Sequence, residues 1–422
     1  MPEILPPDLP FFLKLLILLL LARVFGEIME YFGQPALIGE IFAGILAGPS
    51  VFNIIHQNNE LKTFGELGIF LLVVRAGLEI RFDDVRSSFF GKNFWIAMMG
   101  FFIPITLGVL VGVAFELDIM VTTFMSLCIA ITALPVSIRI LMDLKKLKTP
   151  IGQKIISVAI FNDVMALMIL GILLHFKPES ATVVANAQPQ IEATTLNEIL
   201  IQIGEKLGKV ILFFAIILLV NRILYTTATR VDFVQTRLNK VLTYLKGRES
   251  LFAIVFVFIL IFASLSELVG LHFVVGAFFG AMLLNEEMLG KENFKKIEDS
   301  TSNITIGFLA PIFFAGIGLE FSISAIDNYF LLFAVLGVSF FSKIFGGYFG
   351  ARLAGMNNRD SLTIGVGLNA RGIIELVIAN IALKEGIIDY SMFSILVIMG
   401  VLTTIATPYL LGRAFKYAEA KT

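Results

Sequence analysis

Long apolar stretches separated by short polar breaks recur along the chain from Pro10 to Tyr417. Because a membrane-spanning helix needs about 20 consecutive, mostly apolar residues, each such window predicts one span. The predicted spans, numbered 1 to 13 in chain order, are 10–31, 36–53, 62–80, 93–115, 119–142, 152–176, 196–225, 249–267, 270–285, 301–321, 327–353, 360–384 and 390–415. The pattern predicts an all-α polytopic membrane protein with 13 transmembrane helices, in which residues 1–422 form a single transmembrane domain.

Composition agrees with this prediction and disfavours several classes of function, namely nucleic-acid binding, metal or redox chemistry and enzymatic activity. Hydrophobic residues make up 57% of the chain and charged residues only 15%, which lies outside the range of soluble domains. The 32 Lys and Arg residues nearly balance the 33 Asp and Glu residues, so the net charge gives no reason to expect a nucleic-acid partner. The expected partner is membrane lipid. The single cysteine, Cys128, and three scattered histidines give no metal cluster or redox pair. We therefore expect neither an enzyme nor a resident cofactor.

The distribution of Lys and Arg predicts the orientation. One set of alternate loops carries clusters such as Lys145, Lys146 and Lys148, whereas the opposite set carries one cation per loop at most. Since cytoplasmic loops hold the Lys and Arg excess, the N-terminus is predicted outside and the C-terminus in the cytoplasm. The expected location is the cell membrane, inner or plasma, with multiple passes.

A short sequence match between two spans indicates an internal repeat. Ala76-Gly-Leu-Glu79 closes span 3, and Ile317-Gly-Leu-Glu320 closes span 10 in a similar apolar context. The two spans are seven apart, and an odd offset means that the copies cross the membrane in opposite senses. This is typical of the inverted-topology repeats of secondary transporters. We predict two six-helix repeats connected by span 7, residues 196–225.

Asp163 is the strongest candidate for chemistry. It lies near the middle of span 6, and ionisable groups at that depth are functional candidates by default. One carboxylate that binds either a monovalent cation or a proton couples opposite fluxes through competition. Asn162 can add a neutral oxygen ligand. The alternative is that Asp163 pairs with a structural arginine or caps a neighbouring helix.

Two spans contain helix-breaking residues in matching positions. Span 5 carries Thr132-Ala-Leu-Pro135, and span 12 carries the irregular stretch Gly365–Gly372. Paired interruptions of this kind indicate a transporter's binding site, because half-helix ends and unwound carbonyl groups can coordinate ions. Thr132 is the candidate ligand here, through its hydroxyl or its carbonyl group near Asp163. The alternative is an ordinary proline kink with glycine packing.

Three further residues of spans 11 and 12 need partners inside the protein. Lys343 lies deep in span 11 and is predicted either as a counter-charge for Asp163 or the half-helix ends, or as a proton carrier if burial favours the neutral amine. Arg371 and Glu375 are four apart and can pair to steady the broken span 12. Asn369, in the same irregular stretch, is grouped with them as structural support.

Several motifs together give the chain an end-to-end resemblance to the membrane domain of the cation:proton antiporter-2 family. This family includes bacterial Na+ or K+/H+ antiporters, potassium efflux systems and plant cation/H+ exchangers. The matching stretches are Gly33–Pro49, the Gly-Leu-Glu that ends at Glu79, Lys148–Gly152 before Asn162-Asp163, and Asn369–Glu375.

The resemblance implies how the predicted spans are used. Residues 10–80 and 249–321 would form a dimerising scaffold, and residues 93–176 and 327–415 a moving core with elevator-type alternating access. Broken spans 5 and 12 would cross beside Asp163, and the expected assembly is a homodimer. Potassium systems of the family often carry cytoplasmic nucleotide-binding domains, so a regulatory domain or subunit outside this sequence is also allowed for.

The expected function is exchange of a monovalent cation, Na+ or K+, for H+. Many relatives have Asp-Asp where this chain has Asn162-Asp163, and the difference favours electroneutral exchange. Lys343 stands where electrogenic relatives carry a lysine and favours the opposite, so stoichiometry stays open. A gated cation channel and an ion-coupled symporter of an organic solute are the alternative functions.

Overall fold

The computed structural model describes residues 9–80, 92–175, 208–224, 248–284 and 286–419, and it contains helices and no strands in these ranges. The helices, numbered in chain order, are α1 (Phe11–Tyr31), α2 (Ala36–Ala47), α3 (Asn59–Glu79), α4 (Lys92–Ala114), α5 (Ile119–Ala130), α6 (Leu134–Asp143), α7 (Pro150–His175), α8 (208–224), α9 (Arg248–Leu268), α10 (Phe273–Met282), α11 (Glu286–Leu289), α12 (Lys291–Ile304), α13 (Ala310–Glu320), α14 (Tyr329–Leu353), α15 (Asn358–Gly367), α16 (Ile373–Lys384) and α17 (Tyr390–Glu419). A π-helical turn, Thr305–Leu309, joins α12 to α13.

Each predicted span contains helix in the part of the chain that the structure describes. Seven helical segments there are long and apolar enough to cross a membrane, which makes the chain a multi-pass membrane protein. Others, such as α2 and α10, are shorter apolar helices. The all-helical class is confirmed, and the count of 13 crossings stays a prediction. The predicted connecting span 7 is described only over 208–224.

Two spans differ in extent from the prediction. Span 2 was expected to reach residue 53, but α2 ends at Ala47, because Pro49 disfavours helical backbone at Gly48. Span 10 was expected to begin at 301, but its helix begins at Lys291. The added turns of α12 are amphipathic: Phe294 is buried, and Lys296 pairs with Glu292 at 2.6 Å. A window of apolar residues does not detect such a segment.

The described helices group into two compact units. The first lies within Met1–Leu72, Phe82–Ala166 and Ser302–Thr422, and the second within Val73–Arg81 and Leu167–Thr301. Every candidate site residue named above belongs to the first unit.

One glycine contact in each unit follows the predicted repeat. In the first unit, α2 packs so closely on α13 that a Cβ on Gly44 would lie 1.9 Å from the carbonyl oxygen of Ala315. In the second unit, a Cβ on Gly77 of α3 would lie 2.5 Å from the carbonyl oxygen of Phe278 on α10. Span 2 thus contacts span 10, and span 9 contacts span 3. An inverted repeat is expected to produce this exchange of partners.

Candidate functional site

Both predicted interruptions are present, and they lie side by side. Helix α5 ends at Ala130 and α6 begins at Leu134, while α15 ends at Gly367 and α16 begins at Ile373. Pro135 sits in the first turn of α6, where its missing N–H has no helical partner to lose. The backbone N–H of Ala133 donates to the carbonyl oxygen of Ala370 at 2.9 Å. This hydrogen bond joins the non-helical segments 131–133 and 368–372, which together are called the crossing below.

Asp163 and Asn162 lie in the middle of α7, against the crossing. Their exposed fractions are 1% and 0%. The Asn162 Nδ2 donates to the Thr132 hydroxyl at 3.0 Å, so the structure brings together Thr132 and the Asn-Asp pair as the sequence predicted. The Asn162 Oδ1 is buried and accepts no hydrogen bond from the described residues. It is therefore available as a neutral ligand beside the Asp163 carboxylate.

The Thr132 hydroxyl takes part in three hydrogen bonds. It donates to the carbonyl oxygen of Leu368 at 2.8 Å, and it accepts from Asn162 Nδ2 and from Lys343 Nζ, the latter at 2.9 Å. A hydroxyl has one proton and two lone pairs, so its capacity is used in full. In this arrangement a cation can bind the Thr132 hydroxyl only by displacing one of these partners.

Lys343, on α14, is fully buried and points its ammonium group at the end of α5. Its Nζ donates to the Thr132 hydroxyl, to the carbonyl oxygen of Gly100 at 3.2 Å, and to that of Ala130. Three N–H groups thus meet three acceptors. These contacts tie the Lys343 side chain to the end of α5 and to the Thr132 hydroxyl.

Arg371, which lies in the crossing, donates hydrogen bonds to the same end of α5. Its Nη1 donates to the carbonyl oxygen of Cys128 at 2.5 Å and its Nη2 to that of Ile129 at 2.7 Å. The last carbonyl groups of a helix lack helical partners and carry partial negative charge. Two cations, Arg371 and Lys343, satisfy three of them at the end of α5.

The predicted pair of Arg371 with Glu375 is present but long. The Arg371 Nη1 and the Glu375 Oε2 are 3.8 Å apart, and neither oxygen of Glu375 accepts a hydrogen bond from the described residues. The main contacts of Arg371 are therefore with α5 rather than with its own helix. Asn369 is fully buried, and its amide has no hydrogen-bond partner in the described ranges, so no contact there shows how it would support the helix.

The sequence did not indicate the carbonyl groups of α5, the Thr404 side chain or the Ser339 carbonyl group. The Thr404 hydroxyl of α17 donates to the carbonyl oxygen of Arg371 at 2.9 Å, and Ser339 of α14 accepts from Arg371 through its carbonyl group at 3.5 Å. Backbone carbonyl groups carry no sequence signature. A buried threonine within an apolar helix gave the only signal for Thr404.

Four buried charges surround the crossing. Asp163 and Glu375 are acidic, Lys343 and Arg371 are basic, and all four are at most 1% exposed. When all are ionised, their charges cancel. A carboxylate and an amide oxygen beside two broken half-helices, within a charge-balanced apolar core, can hold a dehydrated monovalent cation or a proton. Such a fold and site define an ion-coupled secondary transporter.

Comparison with known proteins identifies the family. Residues 15–416 match the family described as "Sodium/hydrogen exchanger, transmembrane", which is most of the chain. The chain belongs to this family of cation/proton antiporters, and the resemblance seen in its motifs is confirmed.

Individual relatives agree over nearly the full length. The chain is 27% identical to the probable Na(+)/H(+) antiporter GerT of Bacillus cereus, covering 96% of this chain and 99% of GerT. It is 26% identical to the Na(+)/H(+)-K(+) antiporter GerN of the same organism, covering 97% of each. The solved structure of the sodium proton antiporter MjNhaP1 from Methanocaldococcus jannaschii at pH 8 matches with a TM-score of 0.64 at 16% identity, over 97% of this chain and 98% of that one. That likeness shows a shared fold.

Proposed function

We propose that this chain exchanges Na+ or K+ for H+ through Asp163, with one proton released for each cation bound. The observation that carries the proposal is the position of Asp163 and Asn162 against the crossing, together with the balance of buried charge. Membership of a cation/proton antiporter family supports the general activity. The names of GerT and GerN include Na+ in both cases and K+ in one, which supports the choice of ions.

Charge balance supports one-for-one exchange. An uncompensated charge in the membrane interior costs several kcal/mol. A monovalent cation that binds at Asp163 adds one positive charge to the balanced set of Asp163, Glu375, Lys343 and Arg371. Release of the Lys343 proton restores neutrality, because Asp163 and Glu375 hold no proton in this ionised set and arginine does not deprotonate in proteins. Because Asn162 cannot ionise, the Asn-Asp pair supplies a single acid to this exchange, and the proposed stoichiometry is electroneutral.

Lys343 is proposed as the counter-charge of the empty site. With no cation bound, its ammonium group neutralises Asp163 and satisfies the carbonyl oxygen of Ala130 and the Thr132 hydroxyl. A bound cation would take over the neutralisation of Asp163, and Lys343 would then release its proton and become a neutral amine. Arg371 is proposed as the residue that holds α5 and the crossing together in both states, since its two short hydrogen bonds go to α5.

The proposed mechanism is elevator-type alternating access. Residues 93–176 and 327–415 would move as a core that carries Asp163 past a scaffold of residues 10–80 and 249–321, with the scaffolds of two copies forming a homodimer. The exchanged glycine contacts of spans 2 and 10 and of spans 9 and 3 support the inverted repeat that such a mechanism uses. The N-terminus is proposed outside and the C-terminus in the cytoplasm, on the distribution of Lys and Arg.

The direct test is transport in proteoliposomes with an imposed pH gradient. Addition of Na+, K+ or Li+ to the wild-type protein should dissipate the gradient, read from a pH-sensitive dye, and Asp163→Asn should abolish this. Asp327→Asn is the matched control, because it makes the same change at an exposed position between α13 and α14, and it should transport like wild type.

Three results would refute the proposal. The first is cation-dependent proton movement that survives Asp163→Asn. The second is single-channel current without proton coupling, which would identify a channel. The third is proton or sodium movement only when an organic solute is present, which would identify a symporter. Repeating the assay under an imposed membrane potential tests electroneutrality, since a one-for-one exchanger shows no response.

A further inference from the structure

Glu375, in the first turn of α16, is a buried acid in an unusual environment. Its side chain is fully buried, and neither carboxylate oxygen accepts a hydrogen bond from the described residues. Helix α17 leaves room for the carboxylate at Gly400, where a Cβ would come within 3.2 Å of Glu375 Oε1. The first compact unit therefore encloses this carboxylate in its interior and offers it no hydrogen-bond donor from the described ranges.

The contact with Arg371 does not account for the burial of Glu375. The Arg371 Nη1 and the Glu375 Oε2 are 3.8 Å apart, which is too far for a hydrogen bond. The same guanidinium group makes its short hydrogen bonds to the carbonyl oxygens of Cys128 and Ile129. A carboxylate that served only to steady its own helix would be expected to accept those N–H groups. Its negative charge still acts on its neighbours, because a Coulomb interaction needs no hydrogen bond.

Two positive charges meet at the end of α5, next to Glu375. Arg371 donates to the carbonyl oxygens of Cys128 and Ile129, and Lys343 donates to that of Ala130, the next residue along. The Cys128 thiol in turn lies 3.9 Å from the carbonyl oxygen of Glu375, so the start of α16 packs on this end of α5. Two cations on consecutive carbonyl groups in an apolar interior need negative charge close by.

We propose that Glu375 is the second negative charge of the transport site, and that it sets the affinity of Asp163 for the cation without binding the cation itself. Glu375 is thus a positioning residue that acts through its charge, rather than a structural partner of Arg371. The proposal deepens the proposed exchange and rests on it, since both use the same set of buried charges.

Glu375 is needed most in the cation-bound state. With Lys343 neutral, the charges of Asp163, Glu375, Arg371 and the cation cancel. Without the charge of Glu375, the same state carries one excess positive charge, and a protonated Lys343 would only add another. An uncompensated charge in the membrane interior is costly, so cation binding weakens. Neither α4 from 93 to 114 nor α17 from 391 to 408, which pack on α14 and α16, contains an acid that could replace Glu375.

The first test is the KM for Na+ and for K+ in proteoliposomes, taken from gradient dissipation at a series of cation concentrations. Glu375→Gln removes the charge and keeps the shape, and it should raise the KM by about tenfold or more. Glu375→Asp keeps the charge and should stay within about threefold of wild type. Glu385→Gln, at the exposed other end of α16, is the matched control and should equal wild type. An unchanged KM in Glu375→Gln would overturn the proposal.

A second test moves the negative charge instead of removing it. Asn162→Asp combined with Glu375→Gln restores two carboxylates around the crossing, so the cation-bound state is neutral again. Its KM should lie about tenfold or more below that of Glu375→Gln alone. Its exchange should also show no response to an imposed membrane potential, whereas Asn162→Asp alone should respond. An acid on α7 could not replace a residue whose only role was to pair with Arg371.

The potential response tests the proposal even if Glu375→Gln alone does not fold, since it compares only Asn162→Asp with the double variant. A double variant that responds to the potential as Asn162→Asp does would overturn the proposal. So would a double variant whose KM is no lower than that of Glu375→Gln, and either result would make Glu375 a structural residue. Failure of the proposed exchange has a different signature, which is proton movement that survives Asp163→Asn. The two proposals therefore fail separately.

Discussion

The hydrogen bonds at Thr132 lead to a quantitative prediction about the crossing. Replacement of Thr132 by the nearly isosteric valine removes the hydroxyl and leaves its three partners in place. The Leu368 carbonyl oxygen and the Asn162 Nδ2 each lose a hydrogen bond in a fully buried environment, and Lys343 loses one of its three acceptors.

The expected loss follows from these contacts. Leaving a buried partner unsatisfied costs about 1–3 kcal/mol, and more when the donor is charged. Because three hydrogen bonds are lost, Thr132→Val should lower the free energy of unfolding by about 3–6 kcal/mol after partial relaxation. Thr132→Ser is the matched control, since it keeps the hydroxyl and loses one methyl group, at a cost of about 1 kcal/mol.

The assay is detergent-induced unfolding of the full chain, followed by circular dichroism and by fluorescence of Trp95, the single tryptophan. Transport should fall in parallel, because the crossing positions Asn162 and Asp163. Equal unfolding free energies for Thr132→Val and Thr132→Ser would refute the reasoning. They would mean that the hydroxyl does not hold the two broken spans together.

Two further predictions concern the charges around the crossing. Arg371→Lys keeps the charge, but a lysine cannot reach the carbonyl oxygens of Cys128 and Ile129 together. Loss of one charge-assisted hydrogen bond should lower the free energy of unfolding by about 1.5–3 kcal/mol, measured as for Thr132. Stability equal to wild type would contradict the capping role. Asn162→Asp adds a second acid beside Asp163, so exchange in proteoliposomes should become sensitive to an imposed membrane potential, and no such response would contradict the charge-balance argument.

The sequence located the acid and the breaks because both have local causes. A carboxylate in the middle of a long apolar stretch is rare, and Asp163 is indeed buried in the middle of α7. Pro135 restricts its own backbone, and glycines weaken the helix around Leu368, so α5 and α15 end where predicted. Span 2 was predicted too long because hydropathy outweighed the local effect of Pro49.

The sequence assigned partners less well where the partner is a backbone group. Arg371 and Glu375 were expected to pair from their spacing, yet the closest contacts of Arg371 are carbonyl oxygens of α5. Thr132 was predicted to bind an ion through its hydroxyl or its carbonyl group; the hydroxyl makes three hydrogen bonds to the protein, and ion binding at Thr132 stays a prediction. A pair of residues four apart on one helix can be recognised in the sequence, whereas a contact with the end of another helix more than 200 residues away cannot.

The sequence by itself determined that this is a polytopic helical membrane protein of the cation/proton antiporter class, with Asp163 as a buried acid in the middle of span 6 and with spans 5 and 12 as broken helices. Local hydropathy, proline and glycine chemistry, and motif order suffice for these features. Only the tertiary structure decided that Lys343 and Arg371 both cap the end of α5, and that the Glu375 carboxylate lies against Gly400. Such contacts depend on the packing of helices distant in sequence, because the acceptors are carbonyl groups and carboxylates positioned by neighbouring helices.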